Sequence, residues 1–289
     1  MRFFHALSLT SNITSWLIDT RRPHILHLFD CACNLINERR EVLSIVTPEI
    51  GNGPFNLVIT ENACFRENLS PKSPVSSSAN QLTIGKFSIH TANAKLWNPT
   101  PHWKTLHAKR NDILNRLAQL PITNYSSIFK FSNSSIVRQH SVQSSNLSSA
   151  FANADISTVK LLASQLAGLG MGLTPSGDDF IMGALYAAWI IHPPEIASVL
   201  AKEIAETASA LTTSLSAAWI RSAGRGEAGI LWHEFFGALI SDSTQSIQKS
   251  MERILSIGET SGADAMSGFT SVLTAYKERE LATHENPSR

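Results

Sequence analysis

Two adjacent carboxylates, Asp178 and Asp179, close a glycine-rich stretch in the second half of the chain. The stretch spans residues 168–180 and reads GLGMGLTPSGDDF, so four glycines, one proline and two hydroxyls stand between two apolar runs. Neighbouring carboxylates can accept protons, bind N–H groups or hold a cation. These residue types at this spacing therefore make the stretch the first candidate for a functional site.

The flanking runs predict that the stretch connects two helices. Residues 156–167 repeat apolar side chains at helical spacing behind a predicted N-cap, Asp155, and Gly168 suits a left-handed helix end. Residues 180–191 are apolar on every side, which predicts a buried helix. We expect Thr174 to cap this second helix and Pro175 to occupy its first position.

A helix N-terminus presents unpaired backbone N–H groups and a positive dipole end, which suits an anion. We therefore predict that the backbone and hydroxyls of this loop hold a phosphate or a carboxylate. The candidate binding residues in the loop are Gly170, Gly172, Thr174, Ser176 and Gly177.

Two better-known motifs do not fit. Gly172 and Gly177 have the outer spacing of a phosphate-binding P-loop, but carboxylates stand where Lys and Ser or Thr are required, and a helix precedes the loop. His233-Glu234 begins a zinc-protease signature, but Gly237 replaces its second histidine. A tight interhelical turn with acidic caps remains an open alternative for the glycine stretch.

The motif has a second copy near the C-terminus. Ser176-Gly-Asp-Asp179, followed by Gly183, matches Ser261-Gly-Ala-Asp264, followed by Gly268, at one constant offset. We hypothesise that the two helix starts converge on one polar pocket. Ser261 and Gly262 then join the candidate binding residues, and Asp178, Asp179 and Asp264 are the candidate catalytic residues.

Another glycine turn, residues 224–229, carries Arg225 and Glu227. An arginine fork suits a planar carboxylate or phosphate, so Arg225 is the candidate charge clamp. A surface ion pair is an equally good explanation. Thr212, Thr213 and Ser216 add hydroxyls nearby, for which exposure is the ordinary explanation.

Composition narrows the class of protein. The 289 residues are 43% apolar with a net charge of +1, which favours neither nucleic acid nor an anionic membrane. The longest apolar run is too short to span a bilayer. Three cysteines without a CxxC pair indicate reduced thiols and no zinc site, so we expect a cytoplasmic protein.

The order of predicted elements indicates an α+β protein. Residues 1–100 contain short β-rich runs without long helical patterns, which predicts an antiparallel β-rich domain. Residues 101–289 predict an all-helical domain that carries the glycine motif, with a Ser- and Asn-rich connection at about 121–150. A single long helix is expected from about Glu195 to Ser222.

Taken together, the glycine stretch and the downstream run 257–264, IGETSGAD, resemble the AllH-type subunit of bacterial oxamate carbamoyltransferase. The resemblance covers most of the chain, including the β-rich first part and a Trp-Asn-Pro passage at residues 97–99. Two positions depart from the family's pattern: Met171 stands where proline is expected, and Glu259 where histidine is expected.

The resemblance implies a role in anaerobic allantoin (ureide) breakdown, with partner subunits. Such an enzyme uses phosphate to cleave oxalurate into oxamate and carbamoyl phosphate. The resemblance also implies a hetero-oligomer with the other subunits, or a homodimer, that binds a small carboxylate or phosphate. The physical roles open to Asp178, Asp179 and Asp264 are to bind the substrate's NH groups, to act as bases or to hold Mg²⁺ as a cofactor.

Three hypotheses of different classes stay open at this point. The chain is an enzyme subunit that needs partners, a non-catalytic subunit that binds a small anion or serves assembly, or a protein whose glycine motif serves only close helix packing. In the third case, Gly183 and Gly268 would let the backbones of two helices approach.

Overall fold

A computed structural model describes residues 1–118, 135–241 and 243–285 of the chain. The chain forms two compact units, Met1–Pro99 with Ala228–Ile230, and Thr100–Glu227 with Leu231–Arg289. The first is built on strands and the second on helices, which confirms the predicted α+β class. Within the described ranges, no helix is both long enough and apolar enough to cross a membrane.

The first unit contains one sheet with the strand order β2-β3-β4-β5-β1-β8-β7-β6, and β9 pairs with β1. The strands are β1 Arg2–Leu9, β2 His24–Leu28, β3 Ala32–Ile36, β4 Val42–Val46, β5 Asn56–Ile59, β6 Val75–Ser78, β7 Gln81–Ile84, β8 Phe87–His90 and β9 Lys95–Leu96. Three pairings are parallel, β1–β8, β1–β9 and β4–β5, so the sheet is mixed rather than purely antiparallel. Alternation of apolar residues reports which face of a strand is buried and does not report the direction of its neighbour.

Two helices, α1 Ser11–Asp19 and α2 Phe65–Asn68, join the strands of this unit. Trp16, Phe65 and Phe87 are among the large side chains of its core. Cys33 lies in the same core, and burial raises the pKa of its thiol to about 12. The Cys33 thiol therefore stays protonated and acts as a small apolar side chain.

The second unit is helical throughout its described part. Its helices are α3 Trp103–Ala108, α4 Arg110–Leu117, α5 Ser135–Ala152, α6 Ile156–Leu166, α7 Ser176–Ile191, α8 Pro194–Ser209, α9 Ser214–Gly224, α10 Ile230–Ser241, α11 Thr244–Leu255 and α12 Ser261–Glu285.

The structure corrects two expectations in this unit. The single helix expected from Glu195 to Ser222 is two helices, α8 and α9, because the Thr213 hydroxyl caps α9 by accepting the Ser216 N–H. Part of the expected Ser- and Asn-rich connection is the helix α5, while residues 119–134 lie outside the described residues. Serine and asparagine lower helix propensity only slightly, so composition alone does not exclude a helix.

The helices that begin with the two Ser-Gly motifs, α7 and α12, cross with their backbones in direct contact. A Cβ atom on Gly183 would overlap the carbonyl oxygen of Ala265, and one on Gly268 would overlap that of Phe180. Gly183 of the first motif thus contacts the start of α12, and Gly268 of the second motif contacts the start of α7. The crossing is therefore a reciprocal contact between the two copies of the motif. This packing was the role that the third hypothesis gave to Gly183 and Gly268.

We predict that Gly183→Ala destabilises the protein by about 1–3 kcal/mol or more, because the new methyl group must push two buried helices apart. By the reciprocity of the crossing, Gly268→Ala should cost a similar amount. Urea denaturation followed by circular dichroism measures both losses.

Gly237→Ala is the matched control, since Gly237 lies in α10 and a Cβ there would meet no atom within 4 Å. It should be neutral or stabilise the protein by up to about 1 kcal/mol through helix propensity. Equal effects of Gly183→Ala and Gly237→Ala would contradict the close crossing.

Candidate functional site

The turn between α6 and α7, residues 167–175, is held in place by Asp178, a carboxylate in the first turn of α7. Gly168 has the left-handed φ of 74° that was predicted for the end of α6, and its N–H donates to Asp178 Oδ1 at 2.8 Å. The helix α7 begins at Ser176 with Pro175 as the N-cap residue, so the expected cap, Thr174, lies one position too early. The Thr174 side chain is thereby available for another contact.

Asp178 holds three segments together. Besides the Gly168 N–H on Oδ1, its Oδ2 atom accepts hydrogen bonds from the hydroxyls of Ser216, at 2.7 Å, and Thr212. Burial raises the pKa of Asp178, and these three donors oppose that rise. Both carboxyl oxygens are therefore occupied by the protein, which suits a positioning role.

The hydroxyls on Thr212 and Ser216 had no assigned role in the sequence, yet they tie the α8–α9 connection to the glycine turn. Thr213 reinforces the same contact, since its hydroxyl donates to the Leu173 carbonyl oxygen at 2.6 Å. A cluster of hydroxyls beside a helix start was the only signal of this role, and it is too common to be specific.

The two Ser-Gly-x-Asp turns meet, as the hypothesis of a shared site requires. Thr174 Oγ1 and Ser261 Oγ lie 2.9 Å apart, at hydrogen-bond distance. Beneath them, Asp179 is 5% exposed and Asp264 is fully buried. Thr174, Ser176 and Ser261 are partly exposed, so hydroxyls stand between solvent and the buried carboxyls.

Asp179 is the unusual group of this site. Its Oδ2 atom has no hydrogen-bond partner in the described structure, although the side chain is buried. Burial raises the pKa of Asp179 well above its usual range, Asp264 and Asp178 raise it further, and the Ser261 and Thr174 hydroxyls oppose the shift. A neutral carboxylic acid at neutral pH can donate a proton or a hydrogen bond.

The two turns share their internal geometry. The Gly177 N–H donates to the Leu169 carbonyl oxygen at 2.9 Å, and the Gly262 N–H donates to that of Ile257 at 3.0 Å. A Cβ on either glycine would overlap a carbonyl oxygen of the preceding helix, at Leu166 or Ile254. These two candidate binding glycines are therefore used for packing, and their N–H groups already have acceptors.

The backbone N–H groups that lack a protein acceptor lie before Gly177, in the turn at residues 167–175. Within the described structure, the backbone N–H groups of Gly170, Gly172 and Thr174 have no protein acceptor. Gly170 and Gly172 have positive φ angles, 122° and 95°, a backbone conformation that side chains with a Cβ rarely adopt. The loop can thus present several N–H groups to an anion, as its sequence predicted.

Arg225 is not brought to these turns. It follows the last residue of α9, while Thr212 and Ser216 contact Asp178 at the other end, about 16 Å away along an 11-residue helix. Its guanidinium pairs with Glu227 at 2.6 Å and also donates to the Ser222 hydroxyl. The ion pair is the arrangement that the alternative explanation expected, and a clamping role stays a prediction.

The carboxylates also do not form a metal centre by themselves. Among the described residues, no group of three or more His, Cys, Asp or Glu side chains could hold a metal ion. Both oxygens of Asp178 already accept hydrogen bonds from the protein. The three carboxylates Asp178, Asp179 and Asp264 therefore do not fit a Mg²⁺ ion that is held by protein ligands alone.

Both turns fall within a segment that matches a known protein family. Residues 166–273, which contain both turns, match a family model described as oxamate carbamoyltransferase subunit AllH. Residues 5–96 match the AllH family N-terminal domain. The chain belongs to the AllH family. No solved structure matches it.

Family membership confirms the resemblance inferred from the glycine motifs and supports the role of a carbamoyltransferase subunit. The two departures from the expected family pattern lie on the surface of the turns. Met171 is 94% exposed in the first turn, and Glu259 is exposed in the second. Neither of them replaces a residue that contacts Asp178 or packs in the α7–α12 crossing.

The raised pKa of Asp179 predicts how stability changes with pH. Its contribution to the free energy of unfolding is fully present below about pH 4, the ordinary range of aspartate, and is lost as pH rises toward the folded-state pKa. Asp179→Asn removes this titration. As pH rises from about 4 toward the folded-state pKa, the stability of the variant relative to the natural protein should therefore increase by up to about 1.4 kcal/mol per pH unit. Urea denaturation at a series of pH values measures the difference.

Asp155→Asn provides a control of opposite sign. Hydrogen bonds from the side chains of Thr158 and Ser157 lower the pKa of this exposed N-cap to about 2. The contribution of Asp155 to the free energy of unfolding is present above about pH 4 and is lost as pH falls toward 2. Asp155→Asn should therefore be less stable than the natural protein above about pH 4, and this difference should disappear in acid. A pH-independent difference for Asp179→Asn would show that Asp179 is not a shifted acid.

Proposed function

We propose that the chain is a subunit of an oxamate carbamoyltransferase of ureide (allantoin) catabolism. In this proposal, it acts with partner subunits in the phosphate-dependent cleavage of oxalurate to oxamate and carbamoyl phosphate. The observation that carries the proposal is the meeting of the two turns, with the Thr174–Ser261 hydroxyl pair above the buried, incompletely hydrogen-bonded Asp179. Both turns lie in the segment that matches the AllH family.

The reaction sets three requirements. A phosphate oxygen attacks the carbamoyl carbon of oxalurate, the bond from that carbon to the oxamate nitrogen breaks, and this nitrogen gains a proton. If the phosphate enters as the monoprotonated dianion, its own proton balances the one that the leaving nitrogen takes up. The site must therefore hold anions, stabilise the negative charge that develops on the carbonyl oxygen, and move a proton between two substrates.

We assign the proton transfer to Asp179. As a neutral acid it donates its proton to the leaving nitrogen, and it recovers a proton from the phosphate. The N–H groups of Gly170, Gly172 and Thr174, together with the hydroxyls of Ser176 and Ser261, then hold the anionic oxygens.

The other two carboxyls have different roles in this proposal. Asp178 is a positioning residue, because it fixes the loop through Gly168, Thr212 and Ser216. Asp264 lies below Asp179 on α12, and its proximity helps to keep Asp179 protonated. This arrangement also lets Asp179 face an anion, since a neutral carboxyl does not repel it.

A second candidate is a non-catalytic subunit that binds the small anion or serves assembly. The deep burial of all three carboxyls favours it, because a substrate atom must pass the hydroxyl pair to reach Asp179. Binding and turnover experiments separate the two functions.

We predict that inorganic phosphate, oxamate or oxalurate raises the melting temperature of the protein, and that Ser261→Ala weakens the binding about tenfold. Titration calorimetry measures the affinities. Ser198→Ala is the matched control, because Ser198 is exposed on α8 and its hydroxyl bonds only its own helix, at Glu195. An unchanged affinity in Ser261→Ala would remove the hydroxyl pair from the binding site.

The turnover assay uses the chain assembled with the other subunits of the transferase. Asp179→Asn should lower carbamoyl phosphate formation on the order of a hundredfold, whereas Ser198→Ala should not change it. Ligand binding without carbamoyl phosphate formation in the natural assembly would favour the non-catalytic candidate. A metal requirement is tested in the same assay by chelation and by addition of Mg²⁺.

A further inference from the structure

Three connections of the second unit form one surface, here called the loop face. It consists of the turns at residues 167–175, 210–213 and 256–260, which precede α7, α9 and α12. Hydrogen bonds tie the three turns together: Thr213 reaches Leu173, Thr212 reaches Asp178, and Thr174 reaches Ser261. The loop face is therefore a single built surface with the Thr174–Ser261 pair at its centre.

Each of the three turns exposes a large apolar side chain. The exposed residues of the loop face are Met171, Leu173, Leu211 and Ile257. Apolar side chains around a polar centre are typical of surfaces that bind another protein. Methionine is well suited to such a contact because its side chain is flexible and polarisable.

The charge of the loop face is one-sided. The carboxyls of Asp178 and Asp264 are buried beneath it, and Glu259 is exposed in the third turn. None of the groups that shift the pKa of Asp178 or Asp179 is a lysine or an arginine. The buried Asp179 Oδ2 atom is also without a hydrogen-bond partner in the described structure. A buried polar oxygen in this condition favours a donor from outside the chain.

We propose that the loop face is the docking surface for a partner subunit of the transferase, and that this partner places a lysine or arginine side chain over the Thr174–Ser261 pair. The proposal rests on the proposed function, in which the chain works with other subunits. It follows from charge complementarity at the centre of the surface and from the apolar residues around that centre. The cation would also supply the positive charge for an anionic substrate that Arg225, at the far end of α9, does not bring to the turns.

The test measures association, not turnover. The full chain is titrated with the remaining subunits of the transferase, purified together, and the affinity is determined by calorimetry or interferometry. Leu211→Asp should weaken the association at least tenfold, because a charge enters an apolar contact. Val199→Asp is the matched control: Val199, on α8, is 53% exposed and Leu211 is 52% exposed. It should leave the affinity unchanged.

The cation is tested separately. Glu259→Gln, which removes the exposed carboxylate of the third turn, should weaken the association at least threefold and should make it less sensitive to salt, while Asp155→Asn, at an exposed N-cap of the same unit, should change neither. Circular dichroism and the melting temperature of each variant establish that it is folded before its affinity is compared.

Equal affinities of Leu211→Asp and Val199→Asp would overturn the docking surface. Loss of docking in Leu211→Asp with no effect of Glu259→Gln would overturn the cation. Light scattering that shows a dimer of the chain alone, lost in Leu211→Asp, would assign the surface to a second copy and overturn the partner subunit. Normal association in an assembly that forms no carbamoyl phosphate would instead contradict the proposed function alone.

Discussion

The candidate site depends on one contact, the backbone crossing of α7 and α12. Gly183 and Gly268 each receive a carbonyl oxygen of the other helix where a Cβ atom would otherwise lie. Such closeness lets the first turns of both helices share one space, so that Thr174 meets Ser261 and Asp179 lies near Asp264. Packing and chemistry are therefore not competing explanations of the glycine motif, because the glycines within the helices bring the polar residues at their starts together.

The same contact contributes to the raised pKa of Asp179. Two helix N-termini would each stabilise a carboxylate through their dipoles, which favours the charged form. Burial and the neighbouring carboxyls act in the opposite direction and prevail at Asp179. Asp178, with donors on both oxygens, shows how the fold satisfies a buried carboxyl when its role is structural. The unsatisfied oxygen of Asp179 in the same motif is the observation behind its proposed role in proton transfer.

Much of this could be predicted from the sequence, for identifiable reasons. The helix-turn-helix pattern, the left-handed Gly168 and the repeated Ser-Gly-x-Asp motif are local signals, and the α+β class follows from the order of elements. The parallel pairings of β1 and the break between α8 and α9 were missed, because they depend on distant partners or on one threonine cap. The bonds from Thr212 and Ser216 to Asp178 were missed for the same reason, since hydroxyls are common and their targets are set by tertiary structure.

The two copies of the motif have similar geometry but different contents, which suggests a division of labour. The first turn runs from Leu169 to Gly177 and the second only from Ile257 to Gly262, although the same bond closes both. The longer first turn includes Gly170 and Gly172, both with positive φ angles. The second turn contributes Ser261 and the fully buried Asp264. A reciprocal helix crossing therefore supports two turns of different content. In the proposed function the longer turn holds the anion, and Asp264 of the shorter one adds to the effect of burial on the pKa of Asp179.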